Sequence, residues 1–79
     1  MIEGLRSLPV RKLVQALERE GFVFRRVKGS QRLYRHPDGR RVVLHYHHGR
    51  DTLPIGTLKQ IIEAARWTQE DLRRLGLIK

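Results

Sequence analysis

One basic stretch, RRVKGSQRLYRHPDGRR at residues 25–41, decides how this chain is interpreted. It holds seven Arg or Lys residues and a single acid, Asp38. Lys28-Gly29-Ser30 forms a turn between two strand-like segments, and Pro37-Asp38-Gly39 suits a hairpin loop. Like charges that face each other destabilise a sheet, so a strand pair this basic points to contact with a polyanion.

The flanking residues predict helices on either side of a three-stranded antiparallel meander. Ser7 can cap a first helix with Pro9 in its first turn, and Gly21 ends that helix. The apolar stripe of this helix is Val10, Leu13, Val14 and Leu17. Strands are expected at residues 22–27, 32–36 and 41–46, followed by a loop over residues 48–54.

A second helix is expected to begin near Thr57, because Thr57 and Gln60 match a capping box. The alternative is an earlier start, at Pro54 or Ile55. Its buried stripe is Leu58, Ile61, Ile62 and Ala65. Thr68 opens a last short helix, whose acids lie at its positive N-terminus. The expected fold is therefore α+β, in the order α-β-β-β-α with a short C-terminal helix, as a single domain over residues 1–79. The helices cover one sheet face and leave the other open.

Alternation assigns the side chains of the last two strands to faces. Val42, Leu44 and Tyr46 are expected inward, and Tyr34 is the best inward residue of the preceding strand. The outward side chains are then Gln31, Leu33 and Arg35 in the second strand and Arg41, Val43, His45 and His47 in the third. Because opposed residues share a face, Gln31 is expected opposite His45 or His47, unless a bulge shifts the register.

Composition limits the possible functions. The 79 residues contain no cysteine, so neither a disulfide nor a thiolate metal site is available. The net charge is +9 and Arg supplies 13 of the 17 basic residues, which favours phosphate binding, although an Arg-rich genome would give the same bias. No apolar run approaches the roughly 20 residues of a membrane span, and no signal peptide is apparent, so a cytoplasmic protein is expected.

The cluster His45-Tyr46-His47-His48 is the main candidate for chemistry. No metal or other cofactor is expected, because no cysteine or nearby acid completes a ligand set. His45 and His47 are candidate acid–base groups, and contact with phosphates or solvent is the alternative. His36, beside the Pro37 turn, is expected to be an exposed turn residue.

A set of basic and turn residues is predicted to bind nucleic acid: Lys28, Gly29, Ser30, Arg32, Arg35, Arg40 and Arg41. The alternative is a solvated charged surface, with Gly29 and Ser30 required only by the turn.

The order and spacing of several segments resemble the HicA-type (YcfA-like) mRNA interferase toxins. These segments are residues 13–22, Lys28-Gly29-Ser30, residues 34–41, His48-Gly49 and Gly56-Thr57-Leu58. The resemblance implies a double-stranded-RNA-binding-domain-like fold, metal-independent cleavage of mRNA and a HicB-like antitoxin as partner. It also implies a site role for His48.

Gln31 departs from that pattern, because the family typically has Gly-Ser-His where this chain has Gly29-Ser30-Gln31, and that histidine is held to be catalytic. Glutamine cannot exchange a proton near neutral pH, whereas acid–base catalysis typically contributes 10²–10⁴-fold in rate. Two functions therefore stay open: an endoribonuclease with weak or no activity at this site, or a non-catalytic module that binds RNA or the antitoxin.

Overall fold

The computed structural model describes residues 4–29, 31–46, 48 and 50–78. Ser30 and His47, two of the predicted site residues, lie outside these ranges. The elements in chain order are β1 (Leu8–Pro9), α1 (Val10–Arg19), β2 (Val23–Lys28), β3 (Gln31–Arg35), β4 (Arg41–His45), β5 (Thr52–Leu53), α2 (Ile55–Ala65) and α3 (Gln69–Arg74). The α+β class and the α-β-β-β-α order with a short C-terminal helix are confirmed, and β1 and β5 are additions to it.

The main sheet is antiparallel with strand order β2-β3-β4, so β3 is central and β4 is an edge strand. Tyr34, Val42 and Leu44 are buried, at 4%, 0% and 1% exposure, whereas Val43 is 41% exposed. Gln31 pairs with His45. The predicted faces of β3 and β4 are therefore confirmed, and His45 is the residue opposite Gln31.

A β-bulge interrupts the pairing of β2 with β3 between Phe24 and Arg26. Phe24 pairs with Tyr34 and Arg26 with Leu33, so Arg25 is the extra residue. Strict alternation would turn Arg25 and Arg26 to opposite faces. A bulge redirects side chains and increases the local twist. Here Arg26 lines a cavity with Leu33 and Val43, and Arg25 lines one with Val23 and Arg35, so both arginines border the sheet face away from the helices.

The helices pack on the Tyr34 side of the sheet in one apolar core. The predicted stripe of α2 is buried throughout, at Leu58, Ile61, Ile62 and Ala65. In α1 the small Ala16 is buried, while Val14 lies at the margin of the core. Leu72, Leu75 and Leu77 are buried in the same core.

The segments that precede the two long helices pair with each other, and only α1 begins differently from the sequence prediction. Leu8 and Pro9 form a short antiparallel bridge with Leu53 and Thr52, so α1 starts at Val10 with no side-chain cap. Helix α2 begins at Ile55, which is one of the predicted alternatives, with Pro54 as its N-cap. Thr57 therefore lies inside the first turn.

The last helix follows its predicted capping chemistry. The Thr68 side chain accepts a hydrogen bond from the Asp71 N–H, and the Asp71 carboxylate accepts one from the Thr68 N–H at 2.8 Å. Of the helices within the described ranges, none is long and apolar enough to cross a membrane.

Candidate nucleic-acid interface

The sheet face opposite the helices, here called the open face, consists of three cross-strand rows. The rows are Lys28–Gln31–His45, Arg26–Leu33–Val43 and Val23–Arg35–Arg41. They contain four basic residues and no acid, with Leu33 and Val43 at the centre. A cationic surface with a small apolar centre suits a polyanion that also presents flat apolar groups, as RNA does.

The Lys28–Gln31–His45 row, here called the 28–31–45 row, brings together three predicted site residues from three strands. All three side chains are exposed. A shallow cavity of about 200 Å³ lies beside the row and is lined by Arg26, Lys28, Gln31, Leu33, Arg41 and Val43. Gly29 completes the adjacent turn with φ +61°, and a Cβ there would meet nothing within 4 Å.

The other end of the open face carries a second cationic site. Arg35 and Arg41 are directly opposed neighbours, and both are exposed. Arg25 and Arg35 also line a cavity of about 320 Å³ that reaches the Pro37 turn. Opposed like charges destabilise the free sheet, and a bound anion would relieve their repulsion.

Arg32 lies apart from these rows, on the helix side of the sheet. Its guanidinium carbon is 4.0 Å from the centroid of the Tyr46 ring, and its Nη1 donates to the Tyr46 carbonyl oxygen. This cation–π and hydrogen-bonded arrangement ties β3 to the end of β4.

Arg40 is also separate from the open face, and it joins three elements. Its Nε donates to Asp38 Oδ2 at 2.7 Å, its Nη1 donates to the Ala65 carbonyl oxygen at 2.6 Å, and its guanidinium lies 5.0 Å from the Phe22 ring centroid. Ala65 is the last residue of α2, so the cation satisfies a helix C-terminal carbonyl. The side chain is only 16% exposed.

The expectation that His36 is an exposed turn residue is wrong. Its Nε2 lies 2.9 Å from the Glu20 carbonyl oxygen, and its Nδ1 lies 3.1 Å from the Asp38 backbone nitrogen and 2.9 Å from Asp38 Oδ1. The ring also packs edge-on against Phe22, at 5.1 Å between centroids. His36 therefore joins the hairpin turn to the end of α1, a contact between distant segments that local sequence does not reveal.

The remaining candidates are less well placed for chemistry on this face. His48 is exposed in a turn, where its N–H donates to Asp51 Oδ2 at 3.0 Å.

Burial, together with a hydrogen bond to Tyr46, raises the pKa of Tyr34, which is therefore a protonated core residue. Within the part of the chain that the structure describes, no three His, Asp or Glu side chains are grouped as metal ligands.

The chain matches a family of known proteins. A family model described as the HicA toxin of bacterial toxin–antitoxin systems matches residues 10–67, from the start of α1 past the end of α2. No curated protein matches the chain. The match covers most of the chain, including every described residue of the open face.

Proposed function

We propose, on the premise that this chain belongs to the HicA toxin family of bacterial toxin–antitoxin systems, that it is an mRNA interferase whose open face binds RNA. The observation that carries the proposal is the cross-strand pairing of Gln31 with His45 beside Lys28. This row puts a titratable imidazole directly opposite the position where the family resemblance implies the catalytic histidine.

In the proposed reaction, the His45 imidazole accepts the proton of a ribose 2′-hydroxyl. The 2′-oxygen attacks the adjacent phosphorus, the bond from phosphorus to the 5′-oxygen breaks, and the leaving oxygen takes a proton from imidazolium or water. Lys28 and Arg26 stabilise the charge that develops on the phosphate oxygens. Gln31 can donate a hydrogen bond to the phosphate, but it exchanges no proton.

A non-catalytic module that holds RNA or the antitoxin is the second candidate, and Gln31 itself favours it. The two candidates differ in turnover and not in binding, so an affinity measurement cannot separate them. A HicB-like antitoxin is proposed as the partner in both cases, since it would neutralise the same cationic rows.

Four purified proteins separate these possibilities: the wild type, Gln31→His, His45→Ala and His47→Ala, each incubated with RNA in EDTA. If His45 is the acid–base group, the wild type cleaves and His45→Ala loses roughly 10²–10⁴-fold in rate. If the wild type binds RNA without cleaving it and Gln31→His restores cleavage, the non-catalytic module is the correct reading. Cleavage that survives both histidine substitutions would contradict the proposed mechanism and direct attention to His48.

A further inference from the structure

A groove between β4 and α2 adjoins the 28–31–45 row, and apart from His45 its lining residues have no role in the proposed reaction. Here called the β4–α2 groove, it has a volume of about 330 Å³, within the range of roughly 300–1,000 Å³ that small-ligand sites occupy. Its lining includes Val43, His45, Thr57, Gln60, Ile61 and Ala64. His45 belongs both to the groove and to the row, so a strand bound at the row can reach the groove directly.

The lining of the groove differs chemically from the open face. Ile61 and Ala64 supply an apolar floor, and the exposed Gln60 and Thr57 side chains supply an amide and a hydroxyl. Among the described residues that line the groove, the titratable ones are Arg41 and His45. An adjoining cavity of about 530 Å³ continues past His45 to a carboxylate, that of Asp51. Arg41 and His45 can contact a phosphate at the edge of the groove, whereas its apolar, amide and hydroxyl groups suit a flat ring that forms hydrogen bonds.

The edge of β4 adds backbone groups to the groove. The His36 N–H donates to the Arg40 carbonyl at 2.8 Å, which makes that pair a hydrogen-bonded one. Because hydrogen-bonded and non-bonded pairs alternate along an antiparallel ladder, the N–H and C=O groups of Arg41, Val43 and His45 point away from β3. An edge strand of this kind presents donors and acceptors at the groove in addition to the side chains.

We infer that the β4–α2 groove holds one nucleobase of the RNA strand, next to the phosphate at the 28–31–45 row, and that Gln60 selects adenine there. Single-stranded RNA is recognised through unstacked bases, which rest on apolar or aromatic side chains and are hydrogen-bonded along their edges. A glutamine amide can bond adenine N6 and N7 together, and this pairing discriminates against other bases. The inference rests on the proposed RNA-binding function and adds base specificity to it.

The first test titrates the ¹⁵N-labelled wild-type protein with AMP, UMP, CMP and GMP separately. AMP is expected to bind most tightly and to shift the amide signals of Val43, His45 and Gln60. Shifts on the open face that leave the Gln60 amide unmoved would show that only the phosphate is recognised, and would overturn the inference.

The second test uses Gln60→Ala with Gln15→Ala as the matched control, because Gln15 is an exposed glutamine on α1 outside the groove. Gln60→Ala should reduce the preference for AMP over UMP by about tenfold, with the salt dependence of RNA binding unchanged. Gln15→Ala should behave as the wild type. An undiminished adenine preference in Gln60→Ala would refute the inference.

These readouts also separate this inference from the proposed function. Loss of base preference in Gln60→Ala by a protein that never cleaves RNA would support the groove and refute only the nuclease. RNA cleavage without any base preference in the wild type would support the nuclease and refute only the groove.

Discussion

At the scale of single residues, two adjacent arginines of equal charge have different environments. Arg40 is bound to Asp38, to the end of α2 and over Phe22, whereas Arg41 is exposed on the open face opposite Arg35. Both were predicted from sequence to bind nucleic acid, because charge alone does not distinguish them. Their contacts do distinguish them, and the pair provides a charge-matched experiment.

Arg40→Ala is expected to lower the free energy of unfolding by about 2 kcal/mol, because the Ala65 carbonyl loses a charged donor. Arg41→Ala should change stability by less than about 0.5 kcal/mol. Arg41→Ala should instead reduce the slope of log affinity against log salt by about 0.7 for each lost contact with single-stranded RNA. Urea denaturation and RNA binding across a salt series measure the two quantities. Equal effects of the two substitutions on both would contradict the assignment.

At the scale of elements, the capping box at the start of α3 should determine part of the response to acid. The hydrogen bond from the Thr68 N–H is the main cause that lowers the pKa of Asp71 below its usual 3.8, and Arg74 contributes further. The charged carboxylate therefore stabilises the folded protein above about pH 4. That contribution is lost as pH falls through the lowered folded-state pKa.

Thr68→Ala is expected to cost about 1 kcal/mol of stability at neutral pH, because a helix N-cap is lost.

Asp71→Asn should be less stable than the wild type from pH 5 to 8, and the difference should shrink as the pH falls below 4. Denaturation at several pH values measures this difference. A constant difference down to pH 2 would show that the charge of Asp71 has no part in the effect.

The same elements show what sequence can and cannot predict. Periodicity located the buried stripe of α2, and alternation in β3 and β4 placed Gln31 opposite either His45 or His47, because both patterns are local and repeat along the chain. The bulge at Arg25, the β1–β5 bridge and the His36 contact with Glu20 depend on segments that are far apart in sequence. The roles of Arg40 and Arg32 were hidden for the same reason. The β4–α2 groove is likewise formed by two elements whose proximity only the fold determines.

At the scale of the whole molecule, RNA and a HicB-like antitoxin are expected to compete. Both partners would neutralise the same rows, and the four basic residues of those rows have no acid among them. Adding an antitoxin to a complex of this protein with fluorescent RNA should release the RNA. Simultaneous binding of both partners without loss of either affinity would contradict a shared surface.

The distribution of acids also has a kinetic consequence. Glu20 and Asp71 meet Arg74 at the junction of α1 with α3, and Asp38 is held by Arg40, so these three carboxylates lie away from the rows of the open face. Because the net charge is +9 and the rows of the open face carry four basic residues without an acid, long-range attraction should favour encounters in which a polyanion meets that face. Encounter rates should accordingly fall steeply as ionic strength rises, while dissociation, which depends on short-range contacts, changes less.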